Sequence, residues 1–409
     1  MKYNYPHISR SLAGDSPGVA TITSTIIHKM IQDPLRYHSR YPQRIPRTGF
    51  FDELSSLETD HFRSGFDIQI KKIKKALSQK MSPVVAIKYL EIALRLGVDI
   101  REYYVPNIPL DTSSNDKIHI EYLFLLSSVN RLLSSDEEIP SSIVRSMHKI
   151  GLCATDEMLK ATILLQAFVI SCRYLVGAMP KKFFEDTGVQ LRACITVLPD
   201  DISGLILKSM IFRGVCMSPG TADQIVESDL QCAVQLAKKA MSDSVVCETD
   251  LLVAKENLHT LYQSCYRWKK MKGNSETAVL YLNKMLDMDP LDNIPLLELA
   301  LNALEAEDFF SSINLFNKVI ELGPPGLSMC YFYRGIAHDN LRNEKEAVDS
   351  FRRSFLIDPT ALSSVLELVR IYSKSSLSEA LYYKKIILEN ADLRSQLDEE
   401  EMGYLCGLK

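Results

Sequence analysis

Eight histidines and nine cysteines are the side chains of this 409-residue sequence best suited to act as nucleophile, base or metal ligand. Their spacing argues against each role. The cysteines (Cys153, Cys172, Cys194, Cys216, Cys232, Cys247, Cys265, Cys330 and Cys406) are odd in number, never form a C-x-x-C pair and begin only at residue 153. A disulfide framework or a zinc knuckle needs paired, closely spaced thiols, so these read as free thiols of a reducing compartment, most of them small core fillers. The histidines are scattered, and no H-E-x-x-H pair, glycine-rich phosphate loop or G-x-S-x-G elbow occurs. His338 is expected as a hydrogen-bonded interface residue. The acid runs Asp136-Glu137-Glu138 and Glu399-Glu400-Glu401 suit helix N-termini, where carboxylates meet the positive end of the backbone dipole. The expectation is a non-catalytic protein with no cofactor and no metal. An enzyme whose site forms only with a partner is the alternative.

Basic residues are the second chemical signal. Lys71, Lys72, Lys74 and Lys75 lie within five positions, and Arg267, Lys269, Lys270 and Lys272 surround the single tryptophan, Trp268. Cations interleaved with aromatics can contact RNA or an anionic surface, although most lysine runs are the solvated face of a helix. Residues 1–100 carry a net +6 and the rest −10, so the front is basic and the back acidic. The longest strongly apolar stretch, Ala161 to Cys172, is too short to span a bilayer as a helix. Residues 1–32 hold one acid, Asp15, among Lys2, Arg10, Lys29 and many hydroxyl residues, a profile a mitochondrial presequence can have. Cytoplasm or nucleus is the first expectation for location, with the mitochondrial matrix as the alternative.

These residues must be positioned by helices. Residues 1–60, rich in Pro, Tyr, Arg and Ser, read as a basic irregular arm with one short helix near Val19 to Gln32. From about residue 61, runs with 3.6-residue periodicity follow one another, broken by Pro, Gly or Asp/Ser pairs, with no strand alternation. The expected class is all-α. The expected divisions are divergent helix pairs over 61–250, three phased units over 251–361, and a degenerate unit with a C-terminal cap over 362–409. Ser218-Pro219-Gly220 through Glu227 reads as a loop inserted within one pair.

The phased units carry the strongest signal. Asp289-Pro290, Gly323-Pro324 and Asp358-Pro359 close three segments whose prolines lie 34 and 35 residues apart. Twelve residues before each proline stands a small residue (Ala278, Ser312, Ala347), and four residues later a bulky one (Leu282, Phe316, Phe351). Small residues let paired helices approach, the bulky one fills the groove to the next pair, and proline ends the helix at the turn. This register resembles the tetratricopeptide repeat. In the preceding helices the family's bulky and small positions fall on Leu296 and Ala300, on Tyr331 and Gly335, and on Tyr262 and Tyr266, the last departing from the pattern.

The resemblance implies an α-solenoid of antiparallel helix pairs, a tetratricopeptide-type superhelix, whose concave face is lined by the first helix of each pair. On that face it places Ile294, Leu297, Leu301 and Leu304, then Met329, Phe332, Ile336 and Asp339, with Gln263 and Arg267 at a polar edge. Seven of those eight wall residues are apolar, unlike the Lys, Asn and Arg clamp of chaperone-tail binders in the family. Such a wall asks for a cover. The expected cover is a partner protein's peptide or amphipathic helix, and the rival is the chain's own arm or its tail from Leu393 to Leu408. The expected function is a scaffold or adaptor, an assembly or biogenesis factor. RNA binding through the basic front is the alternative.

Overall fold

The computed structural model describes residues 67–95, 100–102, 112–134, 137–242, 248–290, 292–322 and 327–408. The basic arm, its short helix at Val19 to Gln32 and the presequence profile therefore lie outside the described residues. Within them every regular element is helical and no strand occurs. The chain divides into two compact units, whose described residues are 67–289 and 290–408.

The first unit holds α1 (Asp67–Leu77), α2 (Pro83–Arg95), a short 3-10 turn (Ile100–Glu102), α3 (Ser114–Ser134), α4 (Ser141–Cys153), α5 (Glu157–Tyr174), α6 (Lys181–Val197), α7 (Ile202–Val215), α8 (Asp223–Met241), α9 (Glu248–Met271) and α10 (Ser275–Met288). Consecutive helices pack as pairs, α4 on α5, α7 on α8 and α9 on α10. The helix α7 also touches α5 and α9, so these three form an inner row. Helices α5 and α7 are apolar nearly all round, which is the pattern of a helix enclosed by neighbours: Ile163, Leu164, Phe168, Leu205, Ile206 and Leu207 are all buried. Lys208, also buried, is paired with Asp200 at 2.6 Å.

Helix α8 corrects the expected insertion. It begins at Asp223, so only the turn around Ser218-Pro219-Gly220 is loop. Val226, within the expected loop, opens a regular apolar stripe that continues through Leu230, Ala233, Ala237 and Ala240, all buried. That stripe secures the early turns once α9 is there to receive it.

The second unit holds α11 (Asn293–Glu305), α12 (Phe309–Leu322), α13 (Leu327–Asn340), α14 (Glu344–Ile357), α15 (Leu362–Ser375), α16 (Leu377–Glu389) and two short closing helices, α17 (Ala391–Ser395) and α18 (Glu399–Gly407). Helices pair α11 with α12, α13 with α14 and α15 with α16, and α11 also meets α13. The small and bulky positions of the repeat behave as their chemistry requires. Phe316, Phe351 and Ala347 are fully buried, and Ser312 Oγ donates to the carbonyl of Ala300 at 3.0 Å, which only a small side chain permits. A Cβ on Gly335 would lie 2.7 Å from the Phe351 ring, so helix α13 needs glycine there to accept the aromatic ring of α14.

The turns repeat as faithfully as the helices. Gly273, Glu307 and Arg342 stand in register and share the left-handed conformation, with φ of 71°, 59° and 60°. Each closes its helix with the same pair of bonds. The Asn274, Asp308 and Asn343 amides donate to the carbonyls of Lys269, Ala303 and His338, each at 2.9 Å. The Gly273, Glu307 and Arg342 amides donate to Lys270, Leu304 and Asp339. That is the Schellman ending, which satisfies the last carbonyls of a helix. Two of the three turns adopt it without glycine.

The tail packs onto the last helix pair. Leu393 and Leu405 are fully buried in one cluster with Val365, Leu368, Val369, Tyr383 and Ile387. Lys384 Nζ donates to the Leu408 carbonyl at 2.7 Å and Tyr404 Oη to Ser373 Oγ at 3.2 Å. The acids Glu399, Glu400 and Glu401 occupy the first turn of α18, where Asp398 and Glu401 form a capping box. Of the other acid run, Glu137 and Glu138 are exposed, and Glu137 pairs with Arg131 at 3.3 Å.

The cysteines are mixed, which revises the expectation of core fillers. Cys194, Cys265 and Cys330 are buried, Cys172, Cys216 and Cys232 half-buried, and Cys153 and Cys406 exposed. All eight described cysteines are free thiols.

Candidate functional site

Each unit presents one candidate surface. The first is the first-helix face of α11 and α13. Spacings of three and four residues set Ile294, Leu297, Leu301 and Leu304 on one side of α11, and Met329, Phe332 and Ile336 on one side of α13. Their exposure differs along that stripe. Leu297 is buried in a cluster with Ala300, Phe316, Val319 and Cys330, so its side chain belongs to the core of the pair. Leu301 rests on the same cluster but is only half-buried. Phe332 and Ile336 lean on the C-terminal cluster, with the Phe332 ring 5.7 Å from Phe351 and 5.2 Å from Tyr333. Ile294 and Leu304 are half-buried and Met329 is 37% exposed.

The far end of this face is polar. Asp339 pairs with Arg370 of α15, which also holds Glu367 at 2.6 Å. Ser373, one turn further on, takes the hydrogen bond from Tyr404 of the tail. On the opposite side of α13, Arg334 reaches Ser350 at 3.1 Å and Asn317 at 3.0 Å while stacking on Tyr331, which ties α13 to α12 and α14. His338 departs from expectation, since its buried Nδ1 makes no hydrogen bond. Burial, with Arg334 adding to it, holds the His338 pKa below the ordinary histidine value, so the ring stays neutral.

The second surface is a cleft of about 180 Å³ in the first unit, bounded by α8, α9 and α10. Leu230, Val234 and Cys265 form its floor, and Tyr262, Trp268 and Tyr281 its walls. Glu227, Gln231, Gln235, Lys269 and Lys284 line its rim. Lys269 meets Glu227 at 2.5 Å, and this bond holds the Glu227 carboxyl below its usual range. Lys272 pairs with Asp223 at 2.5 Å and lies 4.6 Å from the Trp268 ring centre. Lys284 sits over two rings, Tyr281 at 4.8 Å and Tyr262 at 5.7 Å. Burial pushes the Cys265 thiol up to about 11, which makes it a poor nucleophile.

The remaining sequence candidates fall elsewhere. Gln263 is half-buried and Arg267 exposed on α9, in the first unit. Lys71, Lys72 and Lys75 are exposed on α1 and Lys74 is half-buried. Two of the four cations around Trp268 are neutralised, since Lys269 and Lys272 are paired with acids of α8. The sequence does not announce the cleft, because Trp268 and Lys269 read as part of a basic cluster and Tyr262 as a repeat position. Its signal was present in Tyr262, Cys265 and Trp268, which share another face of the same helix.

Among the described residues no group of three His, Cys, Asp or Glu side chains could hold a metal ion. No described helix is long and apolar enough to cross a membrane. The most catalysis-like group is buried Glu91, 3.1 Å from His119 Nε2, beside Tyr122, whose phenol is raised by burial and by the Glu91 charge and so stays protonated.

No protein-family model and no curated protein sequence matches the chain. Among solved structures it is similar to a crystal structure of MamA, at 17% identity over 42% of this chain and 94% of that one, with a TM-score of 0.32. It is also similar to a chain of the APC/C Cut9–Hcn1 hetero-tetramer, at 16% identity over 86% of this chain and 60% of that one, with a TM-score of 0.37. The tetratricopeptide-like reading stands on the chain's own register, close approaches and turns.

Proposed function

We propose that this chain is a non-catalytic scaffold that holds a segment of a partner protein, a peptide or amphipathic helix, across the first-helix face of α11 and α13. One observation carries the reading: Ile294, Leu301, Leu304, Met329, Phe332 and Ile336 form an apolar stripe that the fold only half covers. An apolar stripe with a polar boundary suits helix-in-groove recognition, where a few apolar anchors supply most of the affinity. Leu297 is a support for that wall and not a contact. The segment bound belongs, on this reading, to a protein whose assembly or biogenesis the chain assists.

A photo-crosslinking residue at Met329 tests it, with one at exposed Lys318 of α12 as the control. Products from Met329 should converge on one segment of one partner polypeptide. Identical diffuse products from both positions, or links from Met329 only to this chain's own residues, would remove the face from the function. Binding of RNA through exposed Lys71, Lys72 and Lys75 is the weaker reading. It requires an affinity for single-stranded RNA that falls steeply as salt rises, and no affinity at low salt eliminates it.

A further inference from the structure

We infer that the cleft between α8, α9 and α10 is an anchor site for one aromatic side chain of an acidic peptide, with a neighbouring carboxylate received by Lys284. Size decides the first half. A dry cavity of about 150 Å³ is enough for benzene, and pockets for cofactors and drug-sized ligands run from about 300 Å³ upward. At about 180 Å³ the cleft holds a single ring and little more. Its walls are themselves aromatic, Tyr262 and Tyr281 with centroids 6.0 Å apart and Trp268 beside them, so an entering ring finds edge and face partners over an apolar floor.

Charge decides the second half. Of the rim cations, Lys269 is committed to Glu227, and Lys272 nearby is committed to Asp223. Lys284 has no carboxylate within ion-pair distance among the described residues and rests only on tyrosine rings, with its side chain exposed at the mouth. A peptide carboxylate next to the anchoring ring would complete that charge, and the Gln231 and Gln235 amides flank the same opening. The cleft lies in the 67–289 unit, and the apolar wall proposed above lies in the other, so this deepens the protein-binding reading through separate residues.

The full chain carries its own reporter, since Trp268 is its only tryptophan and forms a wall of the cleft. The probe is an acetylated, amidated peptide, Asp-Glu-Phe-Asp-Glu, titrated up to about 1 mM, the weak end of useful affinity. The expected result is a saturable change in tryptophan emission. It should be lost on replacing Phe by Ala in the peptide, weakened roughly five- to tenfold by Lys284→Gln, and blocked by Gln231→Phe at the exposed rim. Circular dichroism of both variants should match the parent, because both positions are exposed. No saturable change, equal binding of the Phe and Ala peptides, or a response to oligo-uridylate in place of the peptide would each overturn the assignment. None of these outcomes touches crosslinking from Met329, so the two readings fail independently.

Discussion

The left-handed turns allow a test whose sign is the result. Glu307 and Arg342 sit at φ near 60°, each between the two helices of a pair, and both side chains are exposed. For an L-residue this conformation costs about 1–2 kcal/mol. Glycine removes that strain but makes the unfolded chain looser, which gives back about 0.4–1 kcal/mol. At these sites Gly should therefore exceed Ala by roughly 0.5–1 kcal/mol, whereas within a helix Ala exceeds Gly by about 1 kcal/mol. The comparison is Glu307→Gly against Glu307→Ala, and Arg342→Gly against Arg342→Ala, which cancels loss of the original side chain. Urea unfolding followed by circular dichroism, with amide exchange read on peptides covering residues 293–357, gives the ranking. Ala variants as stable as the Gly variants at both positions would show that the repeated Schellman ending is not the conformation these turns adopt. Gly273 supplies the internal control: Gly273→Ala should lose stability by the same argument.

Three further outcomes follow from contacts. Gly335→Ala drives a methyl to 2.7 Å from the Phe351 ring and should destabilise the second unit by about 1–3 kcal/mol, with Phe351→Leu recovering part of the loss in denaturant titrations. Arg192 clamps buried Asp229 through two bonds, of 3.2 and 2.6 Å, joining α6 to α8. Arg192→Ala, which strands that carboxylate, should therefore cost about 2 kcal/mol, and less when combined with Asp229→Ala. The His338 pKa is lowered by burial first and by Arg334 second, so the unfolded chain takes up a proton before the folded one does. Stability due to this residue is fully present above the ordinary histidine pKa of about 6.5 and falls as pH drops below it, toward the lowered folded value. His338→Gln should flatten the acid side of a melting-temperature profile, and an unchanged slope would remove His338 as its source.

Much of the helix architecture was legible because the apolar spacing and the breakers agree locally. Prolines 290, 324 and 359, with the small and bulky residues before them, set a register that the buried Phe316 and Phe351 and the bare Cα of Gly335 obey. Three things were hidden. The start of α8 is hidden because Asp223 to Glu227 follows a Ser-Pro-Gly turn and offers only the adjacent pair Ile225 and Val226, too short a run to show a helical period before α7 and α9 pack against it. The left-handed turns at Glu307 and Arg342 lack the glycine that announces such turns, and only their register with Gly273 could have found them. Exposure along the first-helix face was illegible in principle. Leu297 and Leu304 are the same residue type at equivalent helical spacing, yet one faces Phe316 and Val319 within its pair and the other stays half-open.

That difference bounds what a guest could touch. Helices of 13 and 14 residues are about 20 Å long, so the half-open side chains of α11 and α13 span a patch roughly three turns in length. Across α15 the stripe keeps only Leu366, because the two positions that follow it in the same register carry Arg370, tied to Asp339 and Glu367, and Ser373, tied to Tyr404. A guest extending there would have to separate charged pairs without replacing them, which is more expensive than the apolar contact it would gain. Opening that boundary with Asp339→Leu, Arg370→Leu and Glu367→Gln together removes every charge of that network and lengthens the apolar stripe. Crosslinks from a photoreactive residue at Ser363 should then join the set seen from Met329. If Ser363 already captures the same partner segment in the parent chain, the polar end is part of the binding face and the boundary argument is wrong.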